Sequence, residues 1–179
     1  MVIFLLGSVG LVIISKQALA DPRHHGFPRF FAFEAILGLV VLNAGAWLKK
    51  PLSLAQLVSW VLLLASAILV ISGVMTLRKF GKPDATVQDP NRMAFEKTTQ
   101  VVSRGPYRFI RHPMYTSLLL LAWGVFLKQI SVLTFCLVGI ATAMLYLTAI
   151  LEEKENQVIF GESYNAYMMK TKRFIPFLF

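Results

Sequence analysis

A chain of 179 residues that is 56% hydrophobic, with a mean hydropathy of +0.65, is too apolar for an ordinary soluble domain. Its net charge of +9 would suit a nucleic-acid binder, but the cations gather between apolar runs, the pattern of membrane topology, so no nucleic-acid partner is expected. The single cysteine, Cys136, excludes an intrachain disulfide framework and, lying in an apolar run, is expected to be plain packing.

In chain order, five apolar runs long enough for membrane helices follow: about Val2 to Leu19, Phe30 to Leu48, Leu54 to Leu77, Pro113 to Leu127 and Ile130 to Leu151. The chain therefore reads as an all-α integral membrane protein with five transmembrane helices, forming one membrane domain over 1–179. Its parts are an N-terminal three-helix portion (1–77), a connection carrying the chief motif (78–112), a helical hairpin (113–151) and a C-terminal cap (152–179). Ala18-Leu19-Ala20 before Asp21 resembles a signal-peptidase site. No basic n-region precedes it, so the first run is read as a retained helix.

Orientation follows from the basic residues. With the N-terminus outside, fifteen Lys and Arg fall on the inner side, and only Lys49, Lys50 and Lys128 on the outer. That puts the 78–112 connection and the C-terminus in the cytoplasm. In the connection, Gly81, Pro83, Asp89-Pro90 and Asn91 predict irregular backbone. His24-His25 sit in a short Pro/Gly-bounded loop, with no cysteine or carboxylate cluster beside them, so no metal site is expected. Glu34 lies near the inner end of the second run and is expected to snorkel; Asn43 is expected to pack against a neighbouring helix.

The most informative stretch is Ser103 to Tyr115, Ser-Arg-Gly-Pro-Tyr-Arg-Phe-Ile-Arg-His-Pro-Met-Tyr. Proline is favoured at the first helical position, so Pro113 is predicted to open a helix with His112 at its cap. The first turn of that helix leaves N–H groups unpaired and carries partial positive charge, which suits an anionic group. The fourth and fifth runs are separated only by Lys128 and Gln129, which predicts a tight hairpin. Antiparallel neighbours joined in this way bring Glu152 and Glu153 back beside His112 and Tyr115. Lys154 to Lys170 is predicted to be an amphipathic interfacial helix broken near Gly161. The tail Arg173-Phe174-Ile175-Pro176 can fold back over the site. No Gly-rich nucleotide loop follows a strand, so a nucleotide-like cofactor would have to be held without a Rossmann unit.

Gly105-Pro106-Tyr107-Arg108-Phe109-Ile110-Arg111-His112-Pro113-Met114-Tyr115, Glu152-Glu153 and Phe160-Gly161-Glu162-Ser163-Tyr164-Asn165-Ala166-Tyr167 resemble the isoprenylcysteine carboxyl methyltransferase and phospholipid methyltransferase superfamily. The resemblance covers about Val101 to the C-terminus. It implies S-adenosylmethionine bound between membrane helices and a cytoplasmic cap. It further implies that Thr99, Gln100, Val101 and Val102, Tyr107, His112, Pro113, Met114 and Tyr115, and Glu152 contact the cofactor, with Glu153 completing the carboxylate pair. Thr148 stands where prenylcysteine methyltransferases carry a substrate arginine. The resemblance makes a prenylated cysteine carboxylate, bound by Arg173, the leading acceptor, with a phospholipid amine, taking Glu153 as base, as the alternative. In either case the acceptor enters from the bilayer, along a groove lined by Thr116 to Leu121 and Ala143 to Leu151. A sterol-reductase-like NADPH enzyme, which shares the Arg-His-Pro-x-Tyr turn, is the alternative of another class.

Overall fold

The computed structural model describes residues 2–82 and 97–178, and the described residues form six α-helices. They are α1 (Val2–Ala20), α2 (Gly26–Leu42), α3 (Leu54–Phe80), α4 (Pro113–Phe126), α5 (Val132–Phe160) and α6 (Glu162–Lys170). No strand forms among the described residues; a lone parallel bridge joins Ile110 and Lys172. Pro83, Asp89-Pro90 and Asn91 lie outside the described residues.

α1, α3 and α5 are long and apolar enough to cross a membrane. The other two apolar helices are shorter than the sequence suggests. α2 starts at Gly26 and stops at Leu42, six residues early, because Asn43 leaves the helix and donates from Nδ2 to the Val125 carbonyl at 2.7 Å. α4 has 14 residues, about 21 Å at 1.5 Å per residue. Pro113 opens it and His112 precedes it, as the sequence predicts.

α4 and α5 form the expected hairpin, closed by Ser131, whose hydroxyl and backbone exchange hydrogen bonds with Thr134. Their principal partners are nevertheless other helices. α4 lies chiefly along α3 and α5 along α2. Small and hydroxylated residues explain the α3–α4 pairing. Ser59 donates to the Gly124 carbonyl at 2.6 Å, and Ser66 to the Ser117 carbonyl at 2.7 Å. A Cβ at Gly124 would stand 3.0 Å from the Leu63 side chain, so a larger residue there would force Leu63 to shift. Such interhelical bonds contribute about 0.6 kcal/mol each inside a bilayer. α5 meets α2 through Ala32, Ala35, Leu39, Val138, Ala141 and Leu145, all buried. Because each hairpin helix is pulled toward a different neighbour, a groove is left between α4 and α5.

α1 packs on α2 and leaves most of its apolar surface bare, as expected of a helix facing lipid. Glu34 does not simply snorkel. Ser8 donates to its Oε2 at 2.7 Å, while Oε1 is buried with no hydrogen-bond partner among the described residues. Cys136 corrects another expectation. It is exposed rather than packed.

Candidate active site

α5 does not end at the apolar run. It continues unbroken to Phe160, where Gly161, at φ +53, turns the chain into α6. The predicted interfacial helix from Lys154 is thus two pieces, an extension of α5 and α6. In the extension, Glu152, Asn156 and Phe160 follow one another at four-residue spacing and share one face. All three line a cavity beneath α6.

The opposite wall comes from the arginine-rich stretch. Gly105 has φ +56, and a Cβ there would stand 2.6 Å from Thr76 Oγ1, so the turn against α3 requires glycine. That turn sends Tyr107 inward, buried against Leu77 and Val102. Tyr167 of α6 donates its hydroxyl to the Tyr107 carbonyl at 2.8 Å and ties the two walls together. Tyr164 and Tyr167 are inside the protein, not at an interface, and burial pushes both phenols up from their ordinary value.

Of the ten residues expected to contact a cofactor, Gln100, Val101, Val102, Tyr107, His112, Met114, Tyr115 and Glu152 line this cavity. Thr99 and Pro113 do not. Thr99 turns its hydroxyl to the Lys82 carbonyl at 3.1 Å, and Pro113 is buried as the first residue of α4. Sequence reasoning missed Leu77, Thr98, Arg111, Asn156, Phe160, Tyr164 and Tyr167 as lining residues. The four-residue spacing from Glu152 to Phe160 was the available signal, hidden by ending the fifth helix at Leu151.

Glu152 and Glu153 return beside His112, as the hairpin requires, but their environments diverge. Glu152 Oε2 is 3.8 Å from His112 Nδ1, on the cavity side. Glu153 faces away from the cavity and is 3% exposed. Its Oε1 accepts from Arg111 Nε at 2.7 Å and lies 3.1 Å from His112 Nε2. Its Oε2 is 2.7 Å from Arg173 Nη2, and Arg173 Nε is 3.1 Å from Oε1. A carboxylate with both oxygens engaged by two guanidinium groups and an imidazole has little capacity left for a base. The hydrogen bonds to Glu153 hold the Arg173 guanidinium above its ordinary value.

The tail folds back as expected. Lys172 N–H donates to the Phe109 carbonyl, Arg111 N–H to the Lys172 carbonyl and His112 N–H to the Arg173 carbonyl, at 2.7–3.2 Å. Phe174 is thereby buried against His112 and Tyr146, with ring centroids 6.1 and 6.3 Å apart. His112 also stacks on Tyr115 at 5.3 Å. Beyond this wall runs the α4–α5 groove, an apolar cleft of about 780 Å³ lined by Thr116, Leu119, Trp123, Gly139, Thr142 and Tyr146 among others.

A family model for phospholipid methyltransferases matches residues 54–163, from α3 through α4 and α5 into α6. The chain belongs to the phospholipid methyltransferase family. That family is part of a wider superfamily of integral membrane methyltransferases, which includes the isoprenylcysteine type. With its apolar helices, the chain is an integral membrane methyltransferase, of a family that acts on lipid. No curated protein sequence matches the chain.

α1, α2 and the His24-His25 turn lie before the matched region. The structure brings a carboxylate to these histidines, contrary to the sequence expectation. Glu155 Oε2 is 2.6 Å from His25 Nδ1 and 3.5 Å from His24 Nε2, and Oε1 accepts the His25 N–H at 2.9 Å. Among the described residues this is a group with metal-ligating donor types. As placed, it pins the α1–α2 turn to α5, one helical turn past Glu152.

Proposed function

We propose that the protein transfers the methyl group of S-adenosylmethionine to a lipid-borne acceptor drawn from the bilayer. One observation carries this reading: the aromatic cavity and the apolar groove back onto the same wall of His112, Tyr115 and Phe174.

The donor set of the cavity fits the cofactor. Glu152 suits its ammonium group, and the N-terminus of α4 at Met114 and Tyr115 suits its carboxylate. Tyr107, Tyr115, Phe160, Tyr164 and Tyr167 suit a purine and a sulfonium. As it stands the cavity holds about 80 Å³, room for only a handful of waters. Its wall has to open to admit a nucleoside. The Thr98–Val102 segment is the part to move, held by Thr99 N–H to the Gly81 carbonyl at 3.1 Å and by Gln100 to the Phe80 carbonyl. When bound, S-adenosylmethionine would supply an electrophilic methyl group, passed in line to the acceptor while its sulfur leaves as the thioether S-adenosylhomocysteine. The protein's contribution is then positioning and exclusion of water. Glu153 acts through others, fixing His112 and drawing Arg173 and the tail over the site.

A phospholipid amine is the acceptor that the groove suits best. None of its lining side chains is charged. Thr148, at the usual arginine position, is fully buried and bonds the Met144 carbonyl at 2.7 Å. Arg173 is engaged by Glu153. A second reading, an isoprenylcysteine carboxylate, rests on Arg173 standing 5.2 Å over the Tyr146 ring at the head of the groove. Membership of this family favours methyl transfer over the NADPH-dependent alternative.

Radiolabelled S-adenosylmethionine supplied with phosphatidylethanolamine, and separately with a farnesylated cysteine analogue, tests both. Base-stable label in the lipid supports the amine; a base-labile methyl ester supports the carboxylate. Efficient methylation of a water-soluble acceptor without a tail would defeat the proposal.

A further inference from the structure

At the end of the molecule opposite the cavity, Lys128 is 5% exposed. Its ammonium lies 3.0 Å from Gln56 Oε1, 3.5 Å over the Trp60 ring and 5.4 Å from the Trp47 ring. All three partners are neutral. Lys128 forms no ion pair among the described residues. Asp21, Glu152, Glu153, Glu155 and Glu162 belong to the cavity end, and Glu34 sits half-way along α2 with Ser8. A buried ammonium without a counter-charge is costly, since burial disfavours the charged form.

The surroundings of Lys128 supply more positive charge, not less. Lys49 and Lys50 line the same cleft of about 460 Å³. Ser53 and Gln56 line it as well, and Ser53 caps α3, so the partly positive end of that helix opens into the cleft. Depth matters too. α4 covers only about 21 Å, against a hydrocarbon core of about 30 Å. Lys128, just past the end of α4, is therefore held at the depth of the head groups or below, with two tryptophans at the boundary where indole rings concentrate.

We propose that this cleft binds the phosphate of an anionic phospholipid in the leaflet opposite the methyl-transfer cavity. A phosphoryl group supplies the charge that Lys128 lacks, and three ammonium groups with a helix N-terminus are its chemical complement. The acyl chains extend from the cleft into the surrounding bilayer. The cleft shares no lining residue with the acceptor groove, so the two sites can be varied separately.

Native mass spectrometry of the full chain, released from nanodiscs containing phosphatidylglycerol and phosphatidylcholine, measures retained lipid. The expected result is preferential retention of phosphatidylglycerol, weakened about tenfold in a Lys49→Gln/Lys50→Gln double variant, equivalent to about 1.4 kcal/mol. Both of these lysines are exposed, so the double variant leaves the core untouched. Lys128→Gln should weaken retention further. Equal retention of the two lipids would overturn the proposal, as would retention unchanged in the double variant. A parallel thermal-shift measurement in zwitterionic micelles separates the sources. Protection by inorganic phosphate equal to that by phosphatidylglycerol would make the site one for a free anion and overturn the lipid assignment.

Discussion

Arg173 and Glu153 meet side by side, with Nη2 2.7 Å from Oε2 and Nε 3.1 Å from Oε1, and this pair fastens the C-terminal tail over His112. Glu153 also holds Arg111. Removing the carboxylate leaves two guanidinium groups without their common partner. Glu153→Ala should therefore destabilise the protein by about 3–5 kcal/mol, the usual cost of breaking a buried pair. Arg173→Ala should cost less, because that side chain is partly exposed and Arg111 still serves Glu153. Thermal unfolding in detergent measures both. Unchanged stability in Glu153→Ala with lost turnover would make Glu153 a base instead.

Glu152 presents the opposite case, a carboxylate open to the cavity. Glu152→Ala and His112→Ala should weaken S-adenosylhomocysteine binding by about 1.5–3 kcal/mol, the worth of a hydrogen bond to a charged group. Titration calorimetry reads this directly. Undiminished affinity in both variants would remove them from the cofactor site.

The groove can be filled without disturbing the fold. A Cβ at Gly139 would meet nothing within 4 Å, and Gly139 lines the groove. Gly139→Phe should raise KM for the lipid acceptor by about tenfold or more, with cofactor affinity unchanged. Gly10→Phe, in similarly open space on α1, is the control. Equal kinetics for both variants would place the acceptor elsewhere.

Tyr164 and Tyr167 supply a pH dependence. Burial raises both phenols, so the folded protein holds these protons more tightly than the unfolded chain does. The stability they contribute is complete below about pH 10, the unfolded value, and is lost as pH rises beyond it. In an alkaline absorbance titration these two should ionise later than a free tyrosine and in step with loss of the cavity. All five tyrosines ionising together near the ordinary value while the fold persists would contradict their burial.

The charge pattern predicts a sidedness that labelling tests. Single cysteines at Lys49→Cys and Lys172→Cys, in a Cys136→Ser background because Cys136 is exposed, should react from opposite sides, Lys172→Cys from the cytoplasm. Reaction of both from one side would refute the odd number of spans.

The sequence by itself determined whatever is local. Apolar runs specified the helices, Pro113 the start of α4, Gly161 the break before α6, and the hairpin the return of Glu152 and Glu153 to His112. Tertiary structure decided the division of labour between these two carboxylates. Successive residues on a helix point about 100° apart. Which neighbour faces the cavity depends on how α5 is rotated against α2, and that rotation is set by small residues such as Ala141 and Ala35, far from the site. The contact of His25 with Glu155, 130 residues away, and the burial of Lys128 under Trp60 were unreadable for the same reason. Each depends on the packing of whole helices, and no spacing along the chain encodes it.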